Sequence, residues 1–178
     1  MPLNDNLSLD QLSNEVREVL FSGMRSPRVK LLLAGLTLFR FASSDKPPET
    51  WAAGAWWIAD HDYRKILAEH RVSQIRHRKD GLTLGYLGRA ATAVRNEWSL
   101  MDIVVKAIVR EDVMAFVGYG HTQHKEILPN GMYITIQGWP EIEQVFIPNI
   151  SDRNGRTLLG YKALQVQRQK KVSSQRLS

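Results

Sequence analysis

The chain has 178 residues, 43% hydrophobic and 24% charged, which fits one soluble domain with a proper core and leaves too little for two. It contains no cysteine, which excludes disulfides, thiolate metal sites and cysteine nucleophiles. The net charge of +6 favours phosphate-bearing partners, and the longest apolar run, "VKLLLAGLTLF", is too short to span a bilayer.

Leu9, Leu12, Val16, Val19 and Leu20 recur at helical spacing, so Ser8 to Phe21 is expected to form a helix. Ser8 and Gln11 read as its capping box and Gly23 as its stop. "RSPR" is expected to break the chain. The stretch "LTLFRF" has the β-branched and aromatic content of a strand, "SSDKPPET" reads as a turn, and Ala55 to Ala59 as a second short strand. Trp56 and Trp57 are adjacent within it, so in a strand one faces the core and the other faces away.

From Asp60 onward Tyr63, Ile66, Leu67 and His70 mark one helical face. "LTLGYLGRAATAVRNEW" reads as a further helix, interrupted by Gly85 and Gly88, small residues that suit close packing. "MDIVVKAIVREDVMAFVGYG" reads as a long strand with a break near Glu111-Asp112. Strands are expected in "PNGMYITIQGW", in "EQVFIPNI" and in "TLLGYKALQVQRQ". The order is α+β rather than regular βαβ alternation, with one domain over 1–167 and a basic, flexible tail over 168–178.

The five histidines, His61, His70, His77, His121 and His124, lack a metal-ligand pattern; His121 and His124 read as a surface loop pair. No Gly-x-Ser-x-Gly elbow anchors a hydrolase triad. The basic stretches "RVSQIRHRKD" and "VQRQKKVSSQRLS" leave a non-enzymatic module that binds nucleic acid or a partner protein as one reading.

The other reading starts from "LFRFASSDKPPETW", "GAWWIADHDY" and "EIEQVFIP". In this order they resemble the mono-ADP-ribosyltransferases of the arginine-first clade of bacterial toxins and phage enzymes. That family has a strand ending in arginine before a Pro-rich turn, a Gly- and aromatic-bearing strand, and a late Glu-x-Glu strand ending in proline. The resemblance implies a split β-sheet core with an N-terminal helix and helices between strands. It also implies NAD as substrate without a metal, and transfer of ADP-ribose to a macromolecular acceptor by a toxin or effector. Such a protein would be cytoplasmic or delivered into a target cell, be opposed by a neutralising partner, and have no membrane segment. On this resemblance Arg40, Glu143 and Gln144 are the catalytic candidates, and Arg40, Trp56, Trp57, Tyr63 and Glu141 the NAD-binding candidates. Ile58-Ala59-Asp60 stands near the family's Ser-Thr-Ser, and Gln144 holds the place four residues before the proline where the family has glutamate. Glu143 is one residue earlier and shares a face with Gln144 only if a bulge intervenes.

The chemistry has its own rationale. Cleavage of the nicotinamide–ribose bond develops positive charge on the ribose, which a carboxylate stabilises. A guanidinium fork binds diphosphate and an aromatic ring walls the nicotinamide.

Overall fold

The computed structural model describes residues 1–77, 81–95, 98–127, 131, 133–150 and 163–172. Among these residues helices α1 (Asn14–Gly23), α2 (Asp60–His77) and α3 (Leu84–Thr92) accompany nine strands: β1 (Met24–Leu32), β2 (Thr37–Ala42), β3 (Trp56–Ala59), β4 (Ile103–Val109), β5 (Val113–Gly120), β6 (Gln123–Ile127), β7 (Tyr133–Ile136), β8 (Glu143–Phe146) and β9 (Leu164–Lys171). Seven strands form one antiparallel sheet in the order β1-β5-β8-β3-β2-β4-β9, while β6 and β7 pair separately. This is the expected α+β class.

The sheet cannot be flat. Val109 and Val113 are four peptide steps apart, at most about 14 Å of chain. β4 and β5 stand four places apart in the order, about 19 Å in a flat sheet. The sheet therefore curls, and its concave face encloses Leu32, Leu38, Trp57, Val105, Val113 and Val145 as one core. On the opposite face α2 and α3 cover the β2, β3 and β4 side through Ile66, Leu84, Leu87 and Phe41. Leu20 of α1 packs with Phe116 of β5 and Phe146 of β8 over the other side.

Local sequence explains most of these elements and several departures. The first helix begins later than the capping-box reading predicts: Ser8 precedes only a short 3-10 turn, and Ser13 Oγ caps α1 by accepting from the Val16 amide. Gly23 is the last residue of α1, as expected. "RSPR" does not break the chain; β1 runs through it with a register shift between Arg25 and Arg28, on a sheet edge where proline is tolerated. α3 continues through Gly85 and Gly88 without interruption. A Cβ at Gly88 would stand 2.5 Å from the Phe41 ring, so the small residue serves close helix–strand packing.

The expected tail boundary also shifts. Lys170, Gln169 and Arg168 pair in register with β4, and Val172 donates its amide to the Asp102 carbonyl, so 168–172 belongs to the sheet. Backbone pairing with β4 outweighs the strand's polar composition. Residues 157–162 of the expected last strand and 173–178 of the tail lie outside the described residues, as do the Pro-Asn pair of the expected turn at 129–131 and Arg78, Lys79 and Asp80 of the basic stretch.

Candidate functional site

β2 and β3 stay together for only Leu38↔Ala59 and Phe39↔Ile58, after which they part, whereas β2 and β4 pair from Thr37 to Ala42. Arg40 is the first β2 residue beyond the last β2–β3 pair. Its guanidinium reaches across the gap, Nε donating to the Trp51 carbonyl and Nη1 to the Trp56 carbonyl, both at 3.0 Å. A Cβ on residue 54 would stand 1.9 Å from the guanidinium carbon, so a side chain there would displace the fork from this position. Burial pushes the Arg40 guanidinium down from its ordinary range to about 10, which still leaves it charged at neutral pH. Among the described residues it forms no ion pair with a carboxylate. A half-buried cation held by carbonyl dipoles, with no carboxylate partner among the described residues, can take an anion.

Arg40 lines a cleft of about 540 Å³ between the end of α1, the gap in the sheet and the end of α3. Phe41, Trp51, Trp56 and Trp98 supply aromatic walls, Lys46 a second cation, and no carboxylate occurs among the described lining residues. The Trp56 ring is fixed edge-on against Phe146, with centroids 4.8 Å apart. Gln144, 4% exposed, also lines the cleft. Its Nε2 donates to the Thr92 carbonyl at 2.8 Å, which leaves its amide oxygen without a donor among the described residues. The set offers a fork for phosphate, flat apolar surfaces for rings and a hydrogen-bond acceptor for a hydroxyl or amide.

The cleft thus unites three of the expected residues: Arg40, Trp56 and Gln144. The others lie elsewhere. Trp57 is 1% exposed in the concave core, its Nε1 donating to the Gly54 carbonyl, because strand alternation turns it away from Trp56. Tyr63 does not wall the cleft: its ring stacks on Phe39 at 3.9 Å and touches Phe41, and burial pushes its hydroxyl up to about 12. Glu141 is exposed, and its main-chain carbonyl accepts from Lys65 Nζ.

Glu143 is not brought together with Arg40. β8 pairs with β5 in unbroken register, Tyr119↔Glu143 and Gly118↔Gln144, so no bulge returns the carboxylate to the cleft face. Glu143 instead forms an ion pair with Arg28 in a separate hollow of about 280 Å³. Its amide donates to Asp62, a carboxylate 1% exposed that also holds Lys65 Nζ at 2.6 Å and His61 Nε2 at 3.1 Å. Every charge in this group has an internal counter-charge or donor. Its work is to fix the start of α2 to β8.

His61, His77 and His121 are exposed and His70 is half-buried; His124 lies on β6 rather than in the expected loop beside His121, and no cluster of three metal-ligating side chains occurs among the described residues. The side chain of His124 lies outside what is described. Burial lowers the His70 imidazole below its ordinary value. No described helix is long and apolar enough to cross a membrane.

Phe41, Lys46, Trp51 and Trp98 were not singled out from sequence, although three of them lie in or beside the quoted Arg40 stretch. Trp51 follows the Pro-Pro turn that folds it back, its Nε1 donating to the Lys46 carbonyl at 2.9 Å. That proximity to Arg40 was a usable signal. Trp98 carries none, since it reaches the cleft only through the tertiary fold.

No protein-family model matches the chain, and no curated protein matches it. Among solved structures it is similar to Rhs1-CT in complex with its cognate immunity protein RhsI1, with a TM-score of 0.45 and 10% sequence identity over 87% of this chain and 86% of that chain.

Proposed function

We propose that the chain is an ADP-ribosyltransferase-like domain that binds NAD in the split-sheet cleft and delivers ADP-ribose to a macromolecular acceptor, as a toxin or effector. One observation carries the binding half: a half-buried Arg40 guanidinium, unpaired with any carboxylate among the described residues, at the wall of an aromatic cleft. In this reading Arg40 holds the diphosphate, Trp56 lies against the nicotinamide or adenine ring, and the Gln144 oxygen accepts from a ribose hydroxyl. Transfer breaks the nicotinamide–ribose bond, releases nicotinamide and joins ribose C1 to an acceptor nucleophile whose proton is lost. Gln144 orients this substrate but offers no charge to the developing cation, so turnover is slow.

A second reading, the non-enzymatic basic module, is favoured by the same lack of a carboxylate among the described cleft residues. Calorimetric titration with NAD, followed by assay of released nicotinamide, separates the two. Saturable binding with slow nicotinamide release supports the first. Binding without release leaves a nucleotide-binding module, and no binding at all overturns the NAD assignment.

A further inference from the structure

β9 closes one end of the sheet, and among the described residues no strand pairs with its outer edge. Only Leu164 is buried; the seven residues from Gln165 to Lys171 are exposed. The strand is thus held by its ladder to β4 and adds almost nothing to the core. An eight-residue free edge of this kind is a ready template for another extended chain.

Its charge narrows what that chain can be. Arg168, Lys170 and Lys171 lie on the strand, and its described residues include no carboxylate. Arg168 sits directly opposite Lys106 of β4, a like-charge cross-strand pair that is unfavourable without a counter-charge. A second copy of β9 would add further cations to this pair. A strand with carboxylates on alternate residues would neutralise it.

From this we infer that β9 is a docking edge for an acidic, extended segment of a partner protein, which adds to the sheet as an eighth strand beside Arg168, Lys170 and Lys171. The surface is separate from the Arg40 cleft, so it stands whether or not NAD binds there. Backbone hydrogen bonds along the edge supply affinity, and the cations select an acidic over a neutral or basic strand.

The test uses the full chain and a ten-residue peptide of alternating glutamate and threonine. A control peptide carries the same number of glutamates with proline in place of threonine. Backbone amide exchange in β9 is expected to slow at least tenfold with the first peptide and to stay unchanged with the second. The triple variant Arg168→Glu, Lys170→Glu, Lys171→Glu is expected to bind the first peptide at least tenfold more weakly. The exchange map of the unaltered chain tests the proposal even if that variant fails to fold. Equal binding of both peptides, protection confined to other strands, self-association through β9, or protection of β9 by a single-stranded oligonucleotide but not by the peptide would each overturn it.

Discussion

Adjacent residues on β3 and β8 point into two very different regions. On one side lie Trp57, Val145 and, at the rim, Glu143, either packed in the core or held by internal counter-charges. On the other lie Trp56 and Gln144, in a cleft where Arg40 has only main-chain carbonyls as partners among the described residues. A carboxylate already bound to Arg28 is part of the scaffold, whereas a guanidinium with no anion is ready for a ligand. Whether a charged group is satisfied from within separates the two sides better than residue type does.

Truncating each tryptophan in turn separates the two sides by the largest effect. Trp57→Ala should destabilise the fold by about 3–5 kcal/mol, the usual cost of removing a large core aromatic. Trp56→Ala should leave most of the stability and weaken NAD binding instead; denaturant melts and calorimetry read the two effects. Equal loss of stability from both would mean that Trp56 is core and the cleft is not a site.

The two β8 residues make the next test. If the cleft binds NAD as proposed, Gln144→Glu puts a carboxylate beside its ribose, and nicotinamide release should rise by about two orders of magnitude, the scale of one electrostatic stabiliser. Glu143→Gln should leave release unchanged and loosen the contact with Arg28. If Glu143→Gln abolishes turnover, the assignment of the two faces is wrong.

Arg40→Lys keeps the charge and loses the fork. NAD affinity should fall by about 1–3 kcal/mol, because a lysine cannot bind a diphosphate while holding two carbonyls. Unchanged affinity by calorimetry would remove Arg40 from the site.

The pH dependence follows from the same group. Its folded value of about 10 lies below the ordinary guanidinium range, so at pH values between the two the folded chain binds fewer protons than the unfolded chain. Arg40's contribution to stability therefore rises as pH climbs through that window, when burial of its charge is relieved. On the proposed reading NAD affinity should move the opposite way, steady near neutrality and falling above about pH 10 as the fork loses its charge. An affinity unaltered up to pH 11 would separate Arg40 from ligand binding.

The smallest effect concerns the sheet edge. Cutting the chain after Gln167 removes the pairs of Arg168, Gln169, Lys170 and Lys171 with β4. Exposed edge pairs of this kind contribute little net energy, so a loss of about 1 kcal/mol is expected in a thermal melt. No change at all would mean that these pairs add nothing to the folded state.

Much of this architecture was legible wherever a local pattern agreed with its surroundings. "LTLFRF" and "WWIA" are strands, the Tyr63–Ile66 face of α2 is buried, and the strict alternation of strands separates Trp56 from Trp57. The errors arose where position in the sheet overrides local preference. Pro27 is tolerated because β1 is an edge with a bulge, and polar "RQKK" pairs because β4 offers a ladder. Tyr63 looked like a cleft wall by its place after "WWIAD", but Phe39 takes up its ring from a strand distant in sequence. Arg40 and Gln144 could be named from the motif order. Their shared cleft could not, since it depends on β2 and β3 parting after two pairs.

The strand order also shapes how the molecule comes to be folded. β1 must wait for β5, β3 for β8 and β4 for β9, while the sequence-local pair β6–β7 stands outside the main sheet. Nearly every ladder in the sheet closes a long loop, so folding carries a high contact order and proceeds slowly for a chain of this size. Until β8 and β9 are available, β3 and β4 each have a bare edge, and the cleft between β2 and β3 lacks Gln144. The cleft is among the last features to form, and in a chain emerging from synthesis or from an unfolded state it is incomplete until the C-terminal strands have docked.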